Sequence, residues 1–460
     1  MNPQTLETNT VLESKTTGNH FEQTDINPQN VQSTLKKFML VDGFDITIDL
    51  KRSKGAYLYD SKHDKKLLDF FTFVASNPLG MNHSKLTDEK FVKEIGEVAV
   101  NKPSLSDIYT EVQAEFVDTF FGIAVPSYFK HSFFIEGGAL AVENAMKAAF
   151  DWKVRKNFKK GYQEEKGHQV IHFKQAFHGR SGYTMSLTNT DPNKVLYYPK
   201  FNWPRVDNPK VIFPLNEENL KKVIEAENNS IKQIKDAITQ NKDDIAAIIL
   251  EPIQGEGGDN QFRKEFFQQL RQICDESEVM LILDEVQTGI ALTGKWWAHQ
   301  HFIQPDLIAF GKKTQVCGTL STARIDEVDD NVFQKPSRIN STWGGNMVDM
   351  KRFTKILEII QEENLVKNCE TMGLYLQTKL KDLSIKYPDK VSNSRGLGLF
   401  CAFDCTDADM RNNVTSKALE NDLLILGCGE KSVRFRPPIN INKSEIDAGL
   451  DILDKVMGEV

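Results

Sequence analysis

The sequence predicts an α/β protein, with a large domain built on a buried, mixed but mostly parallel sheet and a smaller α+β domain behind it. Three observations predict this. Five short apolar runs (HSFFIE, HQVIHF, DIAAIIL, VMLIL and DLIAF) are spaced along the middle of the chain. Helical patterns such as ALAVENAMKAAFDWK separate them, and continuous apolar strands separated by helices are what a parallel sheet covered on both faces requires. After about residue 350, long amphipathic helical patterns lead into further strands around GLGLFCAFD and SVRFRPP.

Each element narrows the function. Residues 1–32 are rich in Asn, Gln, Thr and Glu and poor in apolar side chains, the composition of a disordered tail. Residues 33–90 form an N-terminal segment expected to join the small domain, 91–347 the large domain, and 348–460 the C-terminal small domain. Of the 460 residues, 40% are hydrophobic and 26% charged, and the net charge is −7. Lys and Arg are interspersed with Asp and Glu, which argues against a nucleic-acid-binding face. The six cysteines show neither a CxxC pair nor zinc spacing with histidine, so no metal site is expected and the thiols are read as buried and reduced. There is no signal-peptide pattern and no apolar run of the roughly 20 residues that span a bilayer, so no membrane association is expected and the cytoplasm is the expected location.

In open α/β sheets, ligands bind beyond the carboxyl ends of the strands, so the polar residues ending the five runs are candidates for one shared site. Lys312 follows the run DLIAF and Gly311. Desolvation there, with Lys313 as a neighbouring like charge, would lower its pKa and favour a free amine able to form an imine. Taken alone, a Gly-Lys pair at a strand end is also what a solvated turn looks like. Asp284 directly follows VMLIL, and a carboxylate in that setting needs a cation, such as the protonated ring nitrogen of a cofactor. Capping a turn is the alternative use of such an Asp. Gly137, Gly138 and Ala139 open a helix after HSFFIE, where free backbone N–H groups suit a phosphate; a plain tight turn would need the same residues. The segment matches neither GxGxxG nor the P-loop, which counts against NAD or ATP.

The segments IEGGALAVENAMKAA, AFHGRSG, EPIQGEGG, LDEVQTG, AFGKK, STWGGN and VRFRPP occur in the order found in class III aminotransferases of pyridoxal-phosphate (PLP) fold type I. The resemblance runs from about residue 36 to about 455. Within that class, LVDGFDI, FTFVAS, GRSGYTMSLTNTDPNK, FGKKTQVCG and NSTWGGN are similar to the lysine ε-aminotransferases, with the 4-aminobutyrate enzymes less similar. The resemblance implies that Lys312 carries PLP as a Schiff base and Asp284 meets its ring nitrogen. It further implies that Gln287 contacts the phenolic oxygen, Phe177 stacks on the ring, and Gly138 and Ala139 hold the phosphate. Thr342 would join the phosphate from a second subunit, making a homodimer with its active site at the interface. Arg180, Glu256, Arg434 and Asn340 would face the substrate. Around Cys317-Gly318-Thr319-Leu320 the chain departs from the family pattern, outside these residues.

The implied reaction moves the ε-amino group of L-lysine to 2-oxoglutarate, giving 2-aminoadipate 6-semialdehyde and L-glutamate. Glutamate brings two carboxylates, which two arginines can grip. Lysine entering by its ε-amine brings one, at the far end, for Arg180. Arg434 would then face an aliphatic chain unless Glu256 neutralises it. A 4-aminobutyrate or other ω-amino-acid aminotransferase, and a non-catalytic PLP- or nucleotide-binding α/β protein, are the competing expectations.

Overall fold

Apolar strands with no polar face must be covered on both sides, and the chain does this around one seven-stranded sheet. The structure, a computed structural model, describes residues 25–460. In chain order the strands are β1 (Phe129–Ile135), β2 (Gln169–Phe173), β3 (Arg205–Val206), β4 (Ile245–Leu250), β5 (Met280–Asp284), β6 (Leu307–Phe310) and β7 (Cys317–Thr322). Their spatial order is β1-β7-β6-β5-β4-β2-β3. Only β7 runs antiparallel to its neighbours. The five apolar runs of the sequence are β1, β2, β4, β5 and β6.

Every residue of β4, β5 and β6 is buried. Successive side chains serve opposite cores: Met280 and Ile282 join one cluster, Leu281 and Leu283 the other. The helix Gly138–Lys159 lies across the first face and packs on β7, β6 and β4. Its contact stripe of Ala141, Ala145, Ala148 and Ala149 lets the helix sit close to the strands. On the second face Phe116, Phe120, Phe134, Trp297, Phe310 and Phe353 pack mainly edge-on or tilted.

Helices Met347–Glu362 and Leu365–Lys386 lead to a four-stranded antiparallel sheet containing Ser392–Leu397, Phe400–Asp404, Leu426–Cys428 and Ser432–Phe435. The early hairpin Tyr57–Asp60/Lys65–Asp69 pairs in parallel with Leu423–Leu424, which ties the start of the described chain to its end. The expected N-terminal tail lies largely outside the described residues. Of the part that is described, Gln29 donates to the Lys62 carbonyl and the Pro28 carbonyl accepts from Thr47. Among the described residues no helix is long and apolar enough to cross a membrane.

Candidate active site

Beyond the carboxyl edge of β4, β5 and β6 lies a cavity of about 350 Å³. Its walls include Gly138, Ala139, Phe177, Arg180, Asp284, Gln287 and Lys312, seven residues drawn from four separate sequence segments.

Lys312 takes a left-handed backbone, φ +54°, which a non-glycine residue adopts at a cost and which is common at functional sites. Burial lowers its amine to a pKa of about 8, with the guanidinium of Arg434 the next contributor. The sequence reading was right in direction but mistaken about Lys313 as the neighbouring charge. Lys313 is fully buried and points away, donating to the Gln287 carbonyl at 2.6 Å and the Ala75 carbonyl at 3.4 Å. Its turn packs against Thr72–Ala75, where four consecutive residues have positive φ. That left-handed turn carries no sequence signature.

Asp284 ends β5 and is 5% exposed. One carboxylate oxygen accepts from the Val286 amide at 3.0 Å, and the other lies 2.8 Å from His178 Nδ1. His178 Nε2 is buried without a partner among the described residues. Glu251, directly after β4, is 5% exposed and accepts from the Phe177 and Gly255 amides at 2.9 and 3.1 Å. Burial, then the nearby Asp284, pushes its carboxyl well above the usual range. The rule that singled out Asp284, an acid directly after an apolar run, selects Glu251 equally; His178 stood inside AFHGR. Both were missed.

Gly137 (φ +107°) turns the chain from β1 into the helix, whose N-terminus has no side-chain cap, so its first N–H groups stay open toward the cavity. Gly179 (φ +115°) packs against this turn, where a Cβ would stand 2.5 Å from the Ala139 Cβ. Phe177 and Val286 both line the cavity. Gln287 is oriented by Arg436, whose guanidinium donates to its Oε1 at 3.3 Å. Arg436 is held by paired bonds to Asp259 at 2.6 and 2.9 Å.

Arg434 is 5% exposed and donates to Glu256 Oε2 at 3.2 Å, while its Nε has no partner among the described residues. Burial acts to raise the Glu256 carboxyl, but Arg434 and Lys194 more than offset it and hold it below the usual range. Lys194, which sequence reasoning did not single out, donates to Glu256 Oε1 at 2.6 Å. Arg180 is exposed on the cavity wall. Asn340 and Thr342 are also exposed, and neither lines the cavity of its own chain.

The cavity suits a phosphorylated, cationic heteroaromatic ring. Open helix N–H groups offer a phosphate cradle, an aromatic and an aliphatic wall offer faces for the ring, a buried carboxylate can meet a ring cation, and an amine of lowered pKa can bind covalently.

The fold and site are those of a class-III aminotransferase, and the chain belongs to that family, whose profile matches residues 40–457. Pyridoxal 5′-phosphate is its cofactor. The chain is 48% identical to the L-lysine-epsilon aminotransferase of Mycobacterium tuberculosis, over 92% of this chain and 94% of that one. It is 45% identical to the enzyme of that name from Streptomyces clavuligerus, over 93% and 94%. A solved lysine aminotransferase from M. tuberculosis superposes with a TM-score of 0.92 at 46% identity, covering 94% of this chain and all of that one. The human mitochondrial 4-aminobutyrate aminotransferase is 30% identical, over 89% and 84%.

A pKa of about 8 makes a direct expectation for the cofactor-free protein. The neutral amine of Lys312 grows as pH rises through about 8, whereas exposed lysines need about two units more. Labelling by an amine-selective reagent, read by peptide mass, should therefore be half-maximal at Lys312 near pH 8. Labelling that appears only above pH 10, or falls on Lys313 instead, contradicts the assignment.

Proposed function

We propose that this enzyme transfers the ε-amino group of L-lysine to 2-oxoglutarate, giving 2-aminoadipate 6-semialdehyde and L-glutamate. The observation that carries the reading is the Glu256–Arg434 pair: a buried arginine already neutralised from within the chain, yet keeping one free donor, Nε. The names of the most similar relatives support the same donor.

When bound, pyridoxal phosphate supplies an electron-withdrawing ring that makes the substrate carbon next to nitrogen acidic. The phosphate would rest on the Gly138 and Ala139 amides, Phe177 would stack on the ring, and Asp284 would face the ring nitrogen. His178, bonded to Asp284, would fix the orientation of that carboxylate. Gln287, its carbonyl oxygen engaged by Arg436, would offer its amide N–H groups to the phenolic oxygen. Lys312 would hold the cofactor covalently. Once displaced by substrate, its Nζ would take the proton from the substrate carbon and return it to the carbon on the other side of the nitrogen, a 1,3-transfer suited to an amine titrating near 8.

Lysine enters with its only carboxylate at the far end, where Arg180 would receive it, joined by Asn340 if a second copy completes the site. Glu256 then stays on Arg434, and no buried cation faces the aliphatic chain. Glutamate and 2-oxoglutarate bring a second carboxylate, which takes Arg434 while Glu256 turns aside. We also assign Thr342 to the phosphate site of a second copy in a homodimer, a reading supported by its exposed position away from its own cavity. The division at residues 33, 91 and 348 belongs to the same reading, supported by the separate sheets on either side of the last boundary. Unpaired cysteines suit the reducing cytoplasm, which cell fractionation can check.

Single-turnover spectroscopy with each substrate alone tests the exchange. Glu256→Gln should slow the lysine half-reaction on the order of a hundredfold, the equivalent of an uncompensated buried charge costing about 3 kcal/mol, while sparing glutamate. Arg434→Ala should lose glutamate and spare lysine, and Arg180→Ala should damage both. Equal losses for both donors in Glu256→Gln would reduce that residue to a structural carboxylate. For the dimer, Lys312→Ala and Thr342→Ala chains are mixed after unfolding and refolding together. Each hybrid dimer then holds one wild-type site, so activity should exceed that of either variant alone; no gain would place Thr342 outside the partner's site.

A further inference from the structure

Glu256 is bound on both of its oxygens, and by two different cations. Arg434, the more buried cation, holds Oε2, and Lys194, the more exposed one, holds Oε1. Side-chain exposure follows the same gradient, 5% for Arg434 against 24% for Lys194. Lys194 is placed by its own short sequence. In Asp191-Pro192-Asn193-Lys194 the Asp191 carboxylate caps a single 3-10 turn by accepting from the Asn193 amide at 2.9 Å, and the Asp191 carbonyl accepts from the Lys194 amide at 3.1 Å. The Lys194 ammonium also stands 5.3 Å from the centre of the Phe177 ring, so the loop reaches the cofactor side of the cavity.

We propose that Lys194 is a positioning residue for substrate exchange: it keeps hold of Glu256 when a dicarboxylate displaces that side chain from Arg434. This rests on the exchange reading above. A carboxylate forced off a buried guanidinium loses its charge compensation unless a second cation is already in place. Lys194 is such a cation, on the oxygen that Arg434 does not use. Releasing Arg434 then requires Glu256 to turn about a contact it keeps, rather than to enter the cavity wall unpaired. Lysine binding leaves Glu256 on Arg434 and asks nothing of Lys194. Lys194 therefore lowers the cost of accepting glutamate and 2-oxoglutarate without touching either, and biases the enzyme toward its dicarboxylate half-reaction.

The test uses holoenzyme with Lys194→Met, Lys194→Arg and Glu256→Gln, and the Lys194→Met/Glu256→Gln double variant. Two readouts are needed: kcat and KM for each half-reaction, and equilibrium titration with glutarate, a five-carbon dicarboxylate with no amine to react. Lys194→Met should raise the glutarate Kd and the glutamate KM about fivefold, the worth of a partly exposed ion pair of about 1 kcal/mol. Its lysine half-reaction should stay within about twofold of wild type, and Lys194→Arg should restore dicarboxylate binding. In the Glu256→Gln background the Met substitution should have no further effect on glutarate, since no carboxylate remains to be held. Equal effects on lysine and glutamate, no effect on glutarate, or failure of Arg to restore it would overturn the role. A fivefold loss persisting in the double variant would overturn it too, because Lys194 would then act on the ligand itself. If Glu256→Gln alone fails to separate the two donors, the exchange reading falls. If it separates them while Lys194→Met changes nothing, only the role of Lys194 falls.

Discussion

Charged groups set against an apolar sheet are tolerated only where each meets a counter-charge, a hydrogen-bond donor or a ligand, and the carboxyl edge of this sheet is organised around that requirement. Asp284 and Glu251 end neighbouring strands with no solvent on either face. Each accepts backbone N–H groups, and Asp284 also has His178. Glu251 meets the constraint by favouring its neutral form, chiefly because it is buried and then because Asp284 lies close by. Lys312, beside the guanidinium of Arg434, meets it in the opposite sense by shedding its proton near pH 8. An amine that sheds its proton about two units below an exposed lysine thus follows from where the strand ends.

The same requirement accounts for the placing of the C-terminal strand Ser432–Phe435 and of Arg436 just after it. Arg434 and Arg436 bring positive charge to an edge otherwise rich in acids, and the loop between Gly255 and Asp259 returns carboxylates to both. That loop can lie so close because Gly255 has no side chain; a Cβ there would stand 2.5 Å from Gln287 Oε1. Arg395 adds a further anchor, donating to the Asp259 carbonyl at 3.0 Å and to the Gly258 carbonyl. The backbone that carries Glu256 is therefore anchored on both sides, which is what the proposed exchange of its side chain needs.

The sheet was legible in the sequence because a strand buried on both faces has no choice but to be apolar throughout, and a polar residue ending such a run stands out. Asp284 and Lys312 were found that way. Glu251 meets the same criterion, but nothing local in EPIQGEGG shows that it, rather than Glu256, stands next to Asp284. The partners that orient these groups were harder to see. His178 and Arg436 lie within recognisable segments, but their contacts join residues more than 100 positions apart. Lys194 sits in a loop whose local sequence explains its turn and not its target. The left-handed turn at Thr72–Ala75 is held by tertiary contacts, including Thr72 Oγ1 donating to the Arg436 carbonyl at 2.7 Å, and its residue types favour other conformations. Asn340 and Thr342 lie on the surface of one chain, and the role proposed for Thr342 needs a second one.

In the proposed exchange lysine reacts through its far nitrogen, because only that orientation would place a single carboxylate at Arg180 and leave Glu256 on Arg434. Isotopic labelling tests it without any variant. L-lysine carrying 15N at the ε position, and separately at the α position, is turned over with 2-oxoglutarate, and the glutamate formed is analysed by mass. The expected result is 15N-glutamate from ε-labelled lysine and unlabelled glutamate from α-labelled lysine. Label reaching glutamate from the α-nitrogen would contradict the account.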